Sequence, residues 1–171
     1  MDREVRDKSL RYSETNLDFM AVLLRSADPS PRQTLVTLGS GTGRSTLAAA
    51  ALYPSLSKCV GIEFLPELVK LSNGYRGKVK GRKASSEFVA GDFTDDAISS
   101  RFLSNADIVF ATATFFNRGE LEASLDSLKV GAKVVTVDER LRGKRFKFVD
   151  EVNDAAGDLQ LNTGYVYEVV A

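Results

Sequence analysis

The chain has 171 residues, with 23 basic and 23 acidic side chains, no His, no Trp and one Cys. Without histidine there is no Ser-His-Asp or Cys-His nucleophile pair. One Cys and no His exclude a structural zinc site and the His-dependent catalytic metal sites, so no metal is expected. A formal net charge of zero argues against nucleic-acid binding by bulk charge alone.

The segment 12–27 places Leu17, Met20, Ala21, Leu23 and Leu24 at helical spacing, and Asp28-Pro29-Ser30-Pro31 ends it. A short buried strand follows over 33–38, then the loop Gly39-Ser40-Gly41-Thr42-Gly43 and an alanine-rich helix over 45–51. The pattern repeats: strand 58–64, helix 65–75, strand 86–90, helix 95–101, strand 106–112, helix 119–128, strand 133–137. Strands alternating with helices predict right-handed crossovers and a mostly parallel sheet covered on both faces. The last two candidate strands, 146–152 and 165–170, are joined by polar, turn-like residues and predict a closing antiparallel hairpin. The expectation is an α/β, Rossmann-like fold with a seven-stranded sheet. It forms one domain over 1–171, with a helical lead-in over 1–31 and the core over 32–171.

Two basic runs stand out: Arg76, Lys78, Lys80, Arg82 and Lys83, and then Arg140, Arg142, Lys144, Arg145 and Lys147. Each could meet an anionic surface, or be a solvated loop or helix end. The charged N-terminus gives no signal-peptide pattern, and no apolar run is long enough to span a membrane. The single Cys leaves no intrachain disulfide, which fits a reducing, intracellular setting.

In an open parallel sheet, ligands sit beyond the carboxyl ends of the strands. The Gly39–Gly43 loop lies there, after the first strand. Its GxGxG spacing differs from the GxGxxG dinucleotide fingerprint, and a plain tight turn can also use such glycines. Glu63 closes the second strand, where a carboxylate can accept both ribose hydroxyls of either a sulfonium or a nicotinamide cofactor. Asp92 closes the third, with Phe93 beside it. A carboxylate there can take an exocyclic amine while the ring packs on adenine, which favours S-adenosylmethionine. Asp92 could instead cap the next helix.

Tyr12-Ser13-Glu14-Thr15, Leu38-Gly39-Ser40-Gly41-Thr42-Gly43, Gly61-Ile62-Glu63 and Gly91-Asp92-Phe93 occur in an order and spacing that resembles one family. It is the disruptor-of-telomeric-silencing type of histone lysine methyltransferase, a class I S-adenosylmethionine-dependent group. The resemblance runs from about Tyr12 to Val137. It implies that Thr15 approaches the methionine end of S-adenosyl-L-methionine and that Gly39, Ser40, Gly41 and Gly43 carry the cofactor. It also implies that Glu63 binds ribose and that Asp92 and Phe93 hold adenine. A tyrosine near the last strands lines the substrate-lysine channel in the family; Tyr165 and Tyr167 both qualify, and ordinary sheet packing would also explain them.

The sequence departs from the family at three places. Thr37 stands where an Asp usually precedes Leu-Gly-Ser-Gly, with Glu14 as the acid that could replace it. Arg44 stands for a glutamine. Ala111-Thr112 replaces an asparagine pair, leaving the Thr112 hydroxyl as the polar group. The expected acceptor is a protein lysine, with a histone or nucleosome reached through the two basic runs. The location would be nuclear for a histone substrate and cytoplasmic otherwise. The alternatives are methylation of a small molecule, a non-catalytic cofactor-binding module and, more distantly, a nicotinamide oxidoreductase.

Overall fold

The computed structural model describes residues 13–81, 83–154 and 162–171. Its elements follow the expected alternation: α1 Leu17–Ala27, β1 Thr34–Leu38, α2 Arg44–Leu52, β2 Lys58–Glu63, α3 Pro66–Arg76, β3 Ser85–Ala90, α4 Asp96–Leu103, β4 Ile108–Thr112, α5 Arg118–Ser124, β5 Lys133–Val137, β6 Phe146–Asn153 and β7 Thr163–Val169. The first helix starts at Leu17, the first of its apolar positions, and residues 13–16 lie before it. Asn16 caps it, its side-chain oxygen accepting the Asp18 amide at 2.8 Å. The predicted helix over 119–128 is α5 followed by a 3-10 turn at Leu125–Ser127.

The sheet runs β3-β2-β1-β4-β5-β7-β6. The first five strands are parallel, and β7 and β6 close the sheet antiparallel. Strand order reverses between β1 and β4, so the crevice lies beyond the carboxyl ends of those two strands. Side chains alternate across the sheet as a period of two requires. Val36, Leu38, Val60, Ile62, Val109 and Val134 pack with Leu103, Leu121 and Leu125 on the α4–α5 face. Leu35, Cys59, Ile108, Phe110, Val135 and Val166 pack with α1 and α2 on the other. Leu47, Val69 and Phe88 join α2 to α3 and β3 on that same side.

No described helix is long and apolar enough to cross a membrane. The first helix and the last strands meet in the fold. α1 lies on β5 and β7, and a Cβ added to Gly164 would sit 2.3 Å from a methyl of fully buried Leu23. Ser26 donates to Asp150 at 2.7 Å, tying α1 to β6 as well.

Candidate functional site

The chain turns from β1 into α2 through three glycines with φ of +64°, +54° and +80° at Gly39, Gly41 and Gly43, backbone that side-chain-bearing residues rarely adopt. The Ser40 amide donates to the Ile62 carbonyl at 2.9 Å, which pins the loop to the end of β2. At Gly39 an added Cβ would lie 2.7 Å from Phe116, and at Gly43 2.6 Å from Phe88. The Phe116 ring therefore lies directly against the glycine loop. It also meets the Phe93 ring, with centroids 4.9 Å apart.

Glu63 is buried at the end of β2. Its two oxygens accept the Gly41 amide at 2.8 Å and the Leu65 amide at 3.0 Å. Each carboxylate oxygen has a second lone pair for a ligand. The acid thus fixes the glycine loop and is itself fixed by it. Asp92 accepts both the amide and the hydroxyl of Thr94, at 2.9 and 2.6 Å. The cap of α4 is Asp95, which accepts the Ala97 amide at 2.8 Å. Asp92 is therefore not the helix cap; it stands in the turn between β3 and α4, beyond the carboxyl end of β3.

The lead-in residues 13–15 close over the glycine loop and the end of β4. Thr15 is buried, and its hydroxyl lies 2.6 Å from that of Thr112 at the end of β4. Glu14 pairs with Arg44 at 2.8 Å and accepts the Thr42 hydroxyl at 3.3 Å. Between Ser13–Glu14, the glycine loop and the first turn of α2 lies a cleft also lined by Thr37 and Thr112. Its volume is ≈ 10 Å³, space for about one water molecule. Two of its lining residues, Thr37 and Ser40, have buried hydroxyls without a hydrogen-bond partner, that of Ser40 lying against Gly61 of β2. Buried hydroxyls are normally satisfied, so each is an unmet polar group beside the cleft. Orphaned hydroxyls, a glycine cradle and a strand-end carboxylate together fit a nucleoside cofactor with a charged amino-acid tail.

Tyr165 and Tyr167 share one face of β7, as their spacing requires. They differ in depth. Tyr167 is 2% exposed and sits in the core beside Phe146 and Phe148, its hydroxyl accepting the Leu141 amide at 3.0 Å. Burial raises its phenol pKa. The structure therefore places Tyr167 away from the cleft, as a packing residue. Tyr165 is half-buried opposite Thr136, nearer the β5 carboxyl end, with the Arg140 guanidinium 5.7 Å from its ring centroid.

The basic runs are partly internal. Arg76 donates to the Ser86 carbonyl, and Lys83 to the carbonyls of Arg76 and Val79. Arg145 donates to those of Asp126 and Leu128. Tyr12 and Arg82 lie outside the described residues. Sequence reading missed Phe116; its only signal is an aromatic pair, Phe115-Phe116, in the loop after β4.

Residues 7–163 match the sequence model of the family described as histone methylation protein DOT1. Two curated relatives carry the name "Histone-lysine N-methyltransferase, H3 lysine-79 specific". The Caenorhabditis elegans protein is 24% identical over 166 residues, covering 89% of this chain and 17% of that protein. The Drosophila melanogaster protein is 27% identical over 135 residues, covering 73% and 7%. The chain thus spans less than a fifth of the length of these relatives. Among solved structures, TrmN from Thermus thermophilus superposes with a TM-score of 0.72 at 19% identity, over 96% of this chain and 52% of that one. An RNA methyltransferase from Salinibacter ruber in complex with S-adenosyl-L-homocysteine gives 0.67 at 24%, over 92% and 94%. At such identities the likeness concerns the fold, which is that of class I methyltransferases.

Proposed function

The chain belongs to the DOT1 family of histone methylation proteins, and on that premise we propose that it transfers a methyl group from S-adenosyl-L-methionine to a protein lysine. The observation that carries this reading is the placement of three features at three adjoining strand ends. They are the glycine loop after β1, Glu63 held by two amides at β2, and Asp92-Phe93 after β3. The cofactor supplies an activated methyl group on a sulfonium, so the protein's work is mainly positioning.

In this reading Glu63 accepts the ribose hydroxyls, its direction set by the Gly41 and Leu65 amides. Asp92 and Phe93 take adenine, and Phe116 covers the ring from the other side of Gly39. Thr15 and Thr112 flank the methionine end, and Tyr165 lines the lysine channel. An apolar channel favours the neutral amine by disfavouring its charged form, so the missing histidines impose no cost. Exposed members of the basic runs, Lys144 and Lys147 among them, suit an acidic nucleosome surface. A histone acceptor would imply a nuclear location. A small-molecule acceptor is the second reading, favoured by Ala111-Thr112 in place of the family's asparagine pair.

The test is incubation with radiolabelled cofactor against nucleosomes, free histones and a whole-cell extract. Label on a histone or another protein band is expected, and loss of that label in Asp92→Ala. Label found only on small molecules would replace the first reading with the second. Cofactor binding without any transfer would overturn both.

A further inference from the structure

Asp138 follows β5 directly and is exposed, so core packing asks nothing of it. Its φ is +63°, backbone that a glycine takes freely and an aspartate takes at a cost. Such strain persists where surrounding bonds over-determine it, and here they do. One carboxylate oxygen accepts the Thr163 amide at 3.0 Å, and the other accepts the Thr114 hydroxyl at 2.8 Å. The Asp138 amide in turn donates to the Thr163 carbonyl at 2.7 Å. One residue thus joins the chain leaving β4, the chain leaving β5 and the start of β7.

Two of these segments lead to the site. Thr114 lies inside the turn that the Phe116 amide closes onto the Ala113 carbonyl at 3.0 Å, and the Phe116 ring rests against Gly39 and Phe93. The neighbouring Glu139 meets Arg118, the first residue of α5, at 3.4 Å, so the same loop is tied at both ends. Thr163 stands two residues before Tyr165 on β7.

We propose that Asp138 is a positioning residue. By holding Thr114 and Thr163 together, it sets Phe116 over the glycine loop and Tyr165 at the acceptor side of the crevice. The inference rests on the methyl-transfer reading and adds to it the joint between the two sides. The side chain, not the bend, carries the role. Glycine would keep the bend without strain and lose both side-chain bonds. Asparagine would keep both. It tolerates positive φ, its carbonyl can accept the Thr163 amide, and its NH2 group can donate to the Thr114 hydroxyl.

Calorimetric titration of wild type, Asp138→Gly and Asp138→Asn with S-adenosylhomocysteine tests this, with amide hydrogen exchange at Phe116 and Thr163 on the same preparations. In Asp138→Gly, affinity should fall about two- to tenfold, the scale of one aromatic contact, and both amides should exchange faster. Asp138→Asn should bind and exchange like wild type. A glycine variant that keeps wild-type affinity, or loses it without faster exchange at Phe116, would overturn the inference and leave the cofactor reading standing. So would an asparagine variant that loses as much as the glycine one, because the bonds would then not be what matters. If wild type binds no S-adenosylhomocysteine, the cofactor reading itself falls, and the inference with it.

Discussion

Replacing Glu63 by Gln isolates one charge and leaves the side-chain volume unchanged. The native carboxylate accepts two amides, from Gly41 and Leu65, at 2.8 and 3.0 Å. The Gln carbonyl can serve one of them, but its NH2 group must then face the other N–H. One charge-assisted hydrogen bond is lost, which costs about 1.5–3 kcal/mol. For a domain of this size that lowers Tm by roughly 3–12 °C. The glycine loop is loosened at Gly41, so S-adenosylhomocysteine affinity falls together with stability. Thermal unfolding and calorimetric titration on one preparation read both quantities. Amide hydrogen exchange at Gly41 and Leu65 locates the change, and both should exchange faster than in wild type. A Tm within about 1 °C of wild type, with exchange at both amides unchanged, would refute the idea that this acid organises the loop.

Two further outcomes follow from buried groups. Tyr167→Phe leaves the Leu141 amide without its acceptor and should cost about 1–3 kcal/mol by urea unfolding. Methyl transfer should persist, whereas Tyr165→Phe should lower transfer and spare stability; the reverse pattern would exchange their roles. Burial pushes the Cys59 thiol up to about 12. Above its ordinary pKa of about 8.5 the unfolded chain gives up this proton while the folded chain keeps it, so stability falls by up to about 1.4 kcal/mol per pH unit as pH rises toward the folded value. Cys59→Ala should therefore flatten the alkaline loss of urea stability, and an unchanged slope in the variant would count against it.

Much of the architecture was written locally. Apolar runs such as Leu35–Leu38 and Ile108–Ala111, broken by glycine turns and helical spacings, mark the strand-helix alternation because burial imposes it residue by residue. The hairpin was visible because no helical pattern separates its strands. What the pattern did not carry was pairing at long range. Glu63 reads as a ligand acid at a strand end; that it also accepts the Gly41 and Leu65 amides depends on how the earlier glycine loop folds over the end of β2. Phe116 lies far from Gly39 in sequence and reaches it only because β4 pairs with β1. Tyr165 and Tyr167 are the same residue type two positions apart. Only the path of the segment around Leu141, which buries one hydroxyl, separates them. Asp92 and Asp95 look alike as caps until the Thr94 and Ala97 bonds are seen.

The packing of Leu23 against Gly164 sets an order of events. α1 follows directly on Glu14 and Thr15, yet the surface it rests on includes β7, which is synthesised long after it. Until β7 has inserted beside β5, α1 lacks part of its seat and the lead-in residues have no fixed position. The parallel core around β1, β2 and β4 can collapse earlier, with the glycine loop and Glu63 already in place. During synthesis the glycine loop and Glu63 therefore come together before the lead-in residues are seated. A nascent chain stalled before Thr163 would hold Glu63 in position and leave Glu14 and Thr15 without their support.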